Sequence, residues 1–290
     1  MKKLAVLPLI VLLLLLALPV SAHGSDMNGF TYSVIGGKVT ITGFSGEPES
    51  VAIPEYIEKC PVVGVRDNAF YRCTSLKSVT LPATVKNIGH HAFFGCTSLE
   101  NAVLPQGLEN VGMGCFEECT SLKEVSLPDS LSVLPDSCFR GCTSLGTAVI
   151  PQSVTVIEKF CFCGCTSLNY VSLSGRLRTV GVGSFYMCGA MKNIYIPPSV
   201  TLIGGEAFGY EQGEKKSPLT ILGCSGSAAE EYASANAIEF DDVPEAAAAF
   251  DPASSENAPV KLPVPLAVSG GLLFLLTALL ALRQYLRSRR

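Results

Sequence analysis

Apolar positions recur through the middle of this chain with a period of 23 residues. Aligned on Cys-Thr-Ser-Leu, uninterrupted units begin at Arg66, Gly89, Gly112, Pro135, Glu158 and Gly181. The tetrapeptide starts at Cys73, Cys96, Cys119, Cys142 and Cys165, and the sixth unit keeps only its first member, as Cys188-Gly189-Ala190-Met191. Position 5 of the unit is always Phe, from Phe70 to Phe185, and Phe208 continues the series in a partial seventh unit. A unit this short cannot bury its apolar residues alone, so the period predicts that the units stack.

Each part of the unit predicts an element. A small residue at position 4, Phe at 5 and Cys at 8 place apolar groups on one face of a short helical turn. The next residues, Leu76-Lys77-Ser78-Val79-Thr80-Leu81 and their equivalents, alternate apolar and polar as a strand does. Proline at position 17 (Pro82, Pro105, Pro128, Pro151, Pro197) ends that strand, because it cannot donate to a ladder, and Ser174 stands there in the fifth unit. Apolar positions 20 and 23 close the coil. The expected fold is an α/β solenoid with a parallel sheet over residues 66–203, about 30 Å long if six coils stack at about 4.8 Å.

The flanks read differently. Thr31 to Phe44 alternates as two strands joined at Gly36-Gly37, a hairpin signal. It opens a predicted N-terminal cap and degenerate first turn spanning 23–65. Residues 204–240 read as a partial repeat and C-terminal cap, in which Ser227 and Glu230 form a capping box at the start of a short helix. From Asp241 to Lys261 the chain turns to Ala, Pro, Glu, Asp and Ser, the composition of a flexible stalk.

Hydrophobic residues make up 48% of the 290 and charged residues only 16%, which places apolar segments outside the repeats. Lys2 and Lys3, the apolar run to Val20 and Ser21-Ala22 have the layout of a signal peptide over 1–22. Leu262 to Leu282 is long enough for a transmembrane helix, and the arginines within 283–290 mark a cytoplasmic tail under the positive-inside bias. Between the two ends, 15 basic residues face 25 acidic ones, a net charge of −10. That balance excludes nucleic acid as a partner, since phosphates demand a basic surface.

Twelve cysteines invite metal or redox chemistry, but six of them fall at position 8 of successive units. Cys115, Cys138 and Cys161 form a second column at position 4. Parallel side chains one coil apart make poor disulfide geometry, so the first reading is a ladder of buried thiols. The sharper alternative is an extracellular metal- or thiol-dependent enzyme centred on Cys161, Cys163 and Cys165 with Cys138 and Cys142 one coil earlier. Cys163 leaves the register and is the candidate reactive thiol. His90-His91 and Glu117-Glu118 read as solvated turns. No nucleophile elbow, zinc-protease motif or phosphate loop is present, so no catalytic, metal-binding or cofactor-binding residue is assigned.

The pattern Ala-Phe-x-x-Cys-Thr-Ser-Leu-x-x-Val-x-Leu-Pro resembles the BspA-like leucine-rich repeats, and the resemblance runs from about Thr31 to Phe240. It implies a bacterial cell-surface or secreted protein, whose partner would be an extracellular protein, peptide or glycan. The outward strand positions 12, 13 and 15 vary from unit to unit while their backbone positions stay fixed. Tyr170, Tyr195, Asn169, Asn193 and Lys192 are the candidate binding surface, at the C-terminal end of that face. The rival to a membrane-anchored adhesion module, besides the enzyme, is an architectural spacer without a specific ligand.

The two apolar ends predict cleavage near Ala22, the repeats outside and about eight residues inside. Protease added to intact cells is expected to remove the repeat region; protection would reverse the orientation.

Overall fold

The computed structural model describes residues 22–25, 29–211, 214–215 and 219–243. Most of the predicted signal segment, nearly all of the stalk, the apolar segment 262–282 and the basic tail 283–290 lie outside these residues. Among the described residues no helix is long and apolar enough to cross a membrane.

The repeats wind into a parallel β-solenoid. Position 13–15 strands stack in a column: Ser78–Thr80, Asn101–Val103, Glu124–Ser126, Thr147–Val149, Tyr170–Ser172 and Asn193–Tyr195. Pairs such as Ser78 with Asn101 and Asn101 with Glu124 keep the 23-residue register. Ser50–Ala52 extends the column at its start, and Thr220–Gly223 and Glu239–Asp242 extend it at its end. A second column of two-residue strands, Asn87–Ile88 through Leu202–Ile203, forms where apolar position 23 points inward. It divides between Asn110–Val111 and Val133–Leu134. At position 1 the N–H of Gly112 donates back to Ile88 and that of Glu158 to Leu134, both across one coil. Pro135 occupies this position in the coil between and has no N–H to give, so the ladder breaks there.

The third side of the coil corrects the α/β expectation. Positions 1 to 11 are not helical, and among the described residues the only helix is Ala228–Ala235, beyond the repeats. Positions 3 and 7 adopt left-handed backbone in all six units, at Asn68, His91, Gly114, Ser137, Phe160 and Gly183, and at Arg72, Gly95, Glu118, Gly141, Gly164 and Met187. That alternation turns the N–H groups of positions 3, 5 and 7 toward the next coil, where they donate to the carbonyls of positions 2, 4 and 6. Phe93 to Cys115, Phe116 to Cys138 and Phe139 to Cys161 run at 2.8–2.9 Å. A left-handed residue other than glycine costs about 1–2 kcal/mol. One net hydrogen bond returns only about 0.5–1.5 kcal/mol, so burial of the adjacent apolar columns must make up the difference.

Those columns are the core. Phe70, Phe93, Phe116, Phe139, Phe162, Phe185 and Phe208 are all buried, and successive rings stack at 5.0–5.7 Å with interplanar angles of 4–15°. Phe44 joins the stack at 6.3 Å from Phe70, and Phe30 closes that end edge-on to Phe44 at 83°. At the far end the Tyr232 ring stands at 85° to Phe208, while its hydroxyl accepts from the Phe208 N–H and donates to the Phe208 carbonyl. Position 11 leucines from Leu76 to Leu168, and the position 20 residues, are likewise buried.

An antiparallel hairpin precedes the repeats, Phe30–Ile35 with Lys38–Phe44, turning at Gly36 and Gly37. Both glycines have positive φ, as a two-residue primed turn requires. Lys38–Phe44 then pairs in parallel with Cys60–Val65, which leads into the second column. Beyond the repeats, Ser227 stands at the N-cap of the helix, but its side chain makes no cap bond. The Ser227 N–H is taken by the Cys224 carbonyl, and Glu230 reaches back instead to the Gly226 N–H at 2.6 Å. Only the Glu230 half of the capping box forms, and it falls on the Gly226 N–H rather than on that of Ser227. The final strand continues through Asp242, past the stalk boundary that composition places at Asp241.

Because the Phe116 ring is sandwiched between two others, Phe116→Ala is expected to destabilise the solenoid by about 3–5 kcal/mol. Tyr232→Phe removes only the hydroxyl that closes the stack, and denaturant unfolding should show a smaller loss, of about 1–3 kcal/mol.

Candidate functional site

The strand column turns positions 13 and 15 outward and position 14 inward. Asn169, Lys192 and Asn193 are exposed, whereas Tyr170 and Tyr195 are half-buried. Tyr170 lies at position 13 of one coil and Tyr195 at position 15 of the next, on the same face. The same face exposes Val103 and Val149 at position 15. Its charges are paired across coils, Lys123 with Glu100 at 2.7 Å and Lys77 with Glu49 at 3.0 Å. Exposed pairs of this kind add little stability, and they leave a nearly neutral surface.

The cysteines are free thiols with individual roles. Cys96, Cys119, Cys142, Cys165 and Cys188 each donate to the carbonyl of the Phe in the preceding coil, at 3.1–3.2 Å. Cysteine suits the column because it is small, apolar in bulk and carries one weak donor, which adds a second bond to a Phe carbonyl that already accepts the N–H of the cysteine three residues on. Burial pushes these thiols up, to about 12 at Cys96. Cys161 and Cys165, central to the enzyme alternative, lie in separate buried columns. Among the described residues no three His, Cys, Asp or Glu side chains form a group able to hold a metal ion. Cys163 is half-buried beside Arg140; burial raises its pKa and the guanidinium partly offsets that.

A ridge at position 6 was not legible beforehand. Tyr71 stacks on Phe94 at 4.9 Å, with the Arg72 guanidinium 5.5 Å from the Tyr71 centroid. One coil further, Glu117 bridges Arg140 at 3.3 Å and His91 at 3.8 Å. Glu117 is therefore not a solvated turn residue: its side chain is only 12% exposed, and burial raises its pKa while Arg140 and His91 lower it. His90 accepts the Met113 N–H at Nδ1, which fixes its ring against the next coil. The available signal was the column of position 6 residues, which carries no motif.

Where the period fails, a cavity opens. The Met187 N–H donates to Tyr210 rather than to the residue before it, a slip of one at Gly209. The short antiparallel strands Tyr210–Glu211 and Glu214–Lys215 replace the regular coil. In the sequence register Glu211 falls at position 8, where the earlier units carry cysteine. The cavity, of about 50 Å³, is lined by Phe185, Phe208, Met191, Leu219, Lys192 and Glu211 among others.

Comparison with known proteins now bears on this arrangement. The BspA type Leucine rich repeat region matches in six copies, over residues 63–154 and 96–215. The chain belongs to that family. It is similar to the crystal structure of a T. pallidum leucine-rich repeat protein, with 27% identity, a TM-score of 0.57 and coverage of 75% of this chain and 97% of that one. A leucine-rich repeat protein from Eubacterium ventriosum shares the fold at 24% identity and a TM-score of 0.57, over 67% of this chain and 53% of that one. No curated protein matches.

In this BspA-type chain the repeating positions 8 and 4 account for nine of the twelve cysteines. With iodoacetamide at pH 8, Cys96, Cys119, Cys142, Cys165 and Cys188 are expected to stay unmodified until the protein unfolds. Cys163, half-buried, should label before the column does, yet more slowly than an exposed thiol, because its pKa is raised. Rapid native labelling of the column, or disulfides between adjacent coils in peptide mapping, would contradict the hydrogen-bonded ladder.

Proposed function

We propose that this protein is a membrane-anchored extracellular binding or adhesion module, whose solenoid presents its strand face to a protein, peptide or glycan partner. The observation that carries the reading is the contrast between core and face. Inward positions repeat with little change, whereas Asn169, Tyr170, Lys192, Asn193 and Tyr195 bring different side chains to one area on neighbouring coils. Half-buried tyrosines beside exposed amides give contact area with low entropic cost and hydrogen bonds for orientation. The family membership supports a repeat-based binding role, and the raised, buried thiols favour it over a thiol enzyme. In this reading the Phe30–Phe44 hairpin and the Ala228–Ala235 helix close the two ends of the solenoid, and the anchor rests on the sequence of 262–282.

Screens of the exported region against extracellular proteins and glycans should yield a partner. Replacing both Tyr170 and Tyr195 by Ala should then weaken binding by more than about 2 kcal/mol, the scale of a hot spot, with the unfolding transition unchanged in cooperativity. Undiminished binding in that variant, with loss on changing His91 or Glu117, would place the partner on the position 6 ridge. Failure of every screen would favour the spacer.

A further inference from the structure

The first two coils hold a cation that the strand-face reading does not use, the guanidinium of Arg72. Several contacts fix its position. The Arg72 stem lies on Gly95 of the next coil, where a Cβ would stand only 3.0 Å from the Arg72 Cγ. The guanidinium carbon is 5.5 Å from the Tyr71 centroid and 6.0 Å from that of Phe94, and those two rings stack at 4.9 Å, 9° from parallel. It therefore spans the pair instead of capping one ring. His91 in turn meets Phe94 edge-on at 5.8 Å.

This ordered cation has no acid. Among the described residues the Arg72 guanidinium makes no ion pair and no hydrogen bond, whereas Arg140 on the same ridge bonds Glu117 at 3.3 Å and Arg178 donates to the Ser199 carbonyl at 3.3 Å. Glu118, the acid in the Arg72 column, stands two coils on, and its carboxylate lies at Gly141, one coil further away. Neither ring supplies an acceptor oxygen, so the N–H fork of Arg72 keeps its donors for an oxyanion, which it meets two bonds at a time.

Charge and shape narrow that oxyanion. Between its two apolar ends the chain has 25 acidic residues to 15 basic ones, which repels a phosphate or a polyanion more than it repels a single carboxylate. Tyr71 is 45% exposed, so an aromatic surface stands beside the fork. A ligand that joins a carboxylate rigidly to an apolar ring face meets both at once. An acidic sugar is such a ligand, with its carboxylate on the pyranose and its C–H face free to lie on an aromatic ring. A peptide Asp or Glu carries the carboxylate on a rotatable stem and loses more entropy on binding.

We propose that Arg72, with Tyr71 and Phe94, binds the carboxylate of an acidic sugar, a hexuronic or a sialic acid. The site stands apart from the strand face, since positions 6 and 7 and positions 13 to 15 lie on different sides of the coil.

Saturation-transfer NMR on the full chain tests it, with methyl glucuronide, the methyl glycoside of N-acetylneuraminic acid, methyl glucoside and N-acetylglutamate amide as probes. Transfer to the ring protons of one or both acidic sugars is expected, the stronger of the two naming the source. Methyl glucoside should bind about tenfold more weakly. Arg72→Ala should lower the acidic-sugar affinity about tenfold, and Arg72→Lys, which keeps the charge and loses the fork, should lower it nearly as far. The denaturant midpoint of Arg72→Lys should stay that of the parent, which separates lost binding from lost folding. The Tyr170 and Tyr195 double Ala variant should bind the acidic sugars as the parent does. Equal binding of glucuronide and glucoside, no transfer to either acidic sugar, or full affinity in Arg72→Ala would overturn the site. Stronger binding of N-acetylglutamate amide than of the sugars would overturn the glycan in favour of an acidic peptide. Loss of acidic-sugar binding in the double tyrosine variant alone would move the sugar to the strand face and overturn the Arg72 site.

Discussion

Every feature of this fold depends on one spacing: each coil hydrogen-bonds to the next through its backbone along the left-handed segment, and along the two strand columns wherever these are unbroken. Two sides are strand columns, and the third is the alternating left-handed segment that sends the N–H groups of positions 3, 5 and 7 across to the next coil. Once the backbone fixes the rise near 4.8 Å, equivalent side chains can do nothing but stack on themselves. Flat rings tolerate this, which is why position 5 is Phe throughout and its rings lie nearly parallel. A charged residue repeated in a buried column at the same spacing would repel its neighbours.

The same spacing explains how the ends are finished. An open ring face at either end would expose apolar surface and invite another chain. Phe30 and Tyr232 both stand edge-on to the last stacked ring, at 83° and 85°, and Tyr232 also engages both backbone groups of Phe208. A perpendicular ring presents its edge to the π face, a favourable geometry, and cannot be extended by another parallel ring.

Repetition made the core legible and little else. The columns at Phe70 to Phe208, the leucines of position 11 and the position 8 thiols follow from the period, because identical neighbours impose identical environments. Phe30, Phe44 and Tyr232 belong to the same stack but fall outside the register, so nothing in the spacing announces them. The expected helical turn failed for a local reason: Phe at position 5 and Cys at 8 fit a helix by periodicity, but the left-handed residues on either side of Phe direct alternate N–H groups outward. The glycines at Gly95, Gly114, Gly141, Gly164 and Gly183 were the available warning, obscured because Arg72, His91, Glu118, Phe160 and Met187 accept the same conformation. Of the candidate site, the strand positions could be read because strands alternate, whereas the Glu117 bridge depends on which side chains meet across coils.

What the core cannot vary, the surface can, and its regular pattern breaks where the period stops. As long as position 8 carries a small thiol, each coil covers the one before it and leaves no room for a ligand. That coverage ends after the sixth unit, where no cysteine follows Cys188 in the column. The chain slips by one residue at Gly209, turns outward as a short hairpin, and leaves the floor of the sixth coil partly open. The loss of register thus leaves an apolar floor of Phe185, Met191, Phe208 and Leu219 beside the strand that carries Tyr195. A perfectly repeating solenoid has no such place.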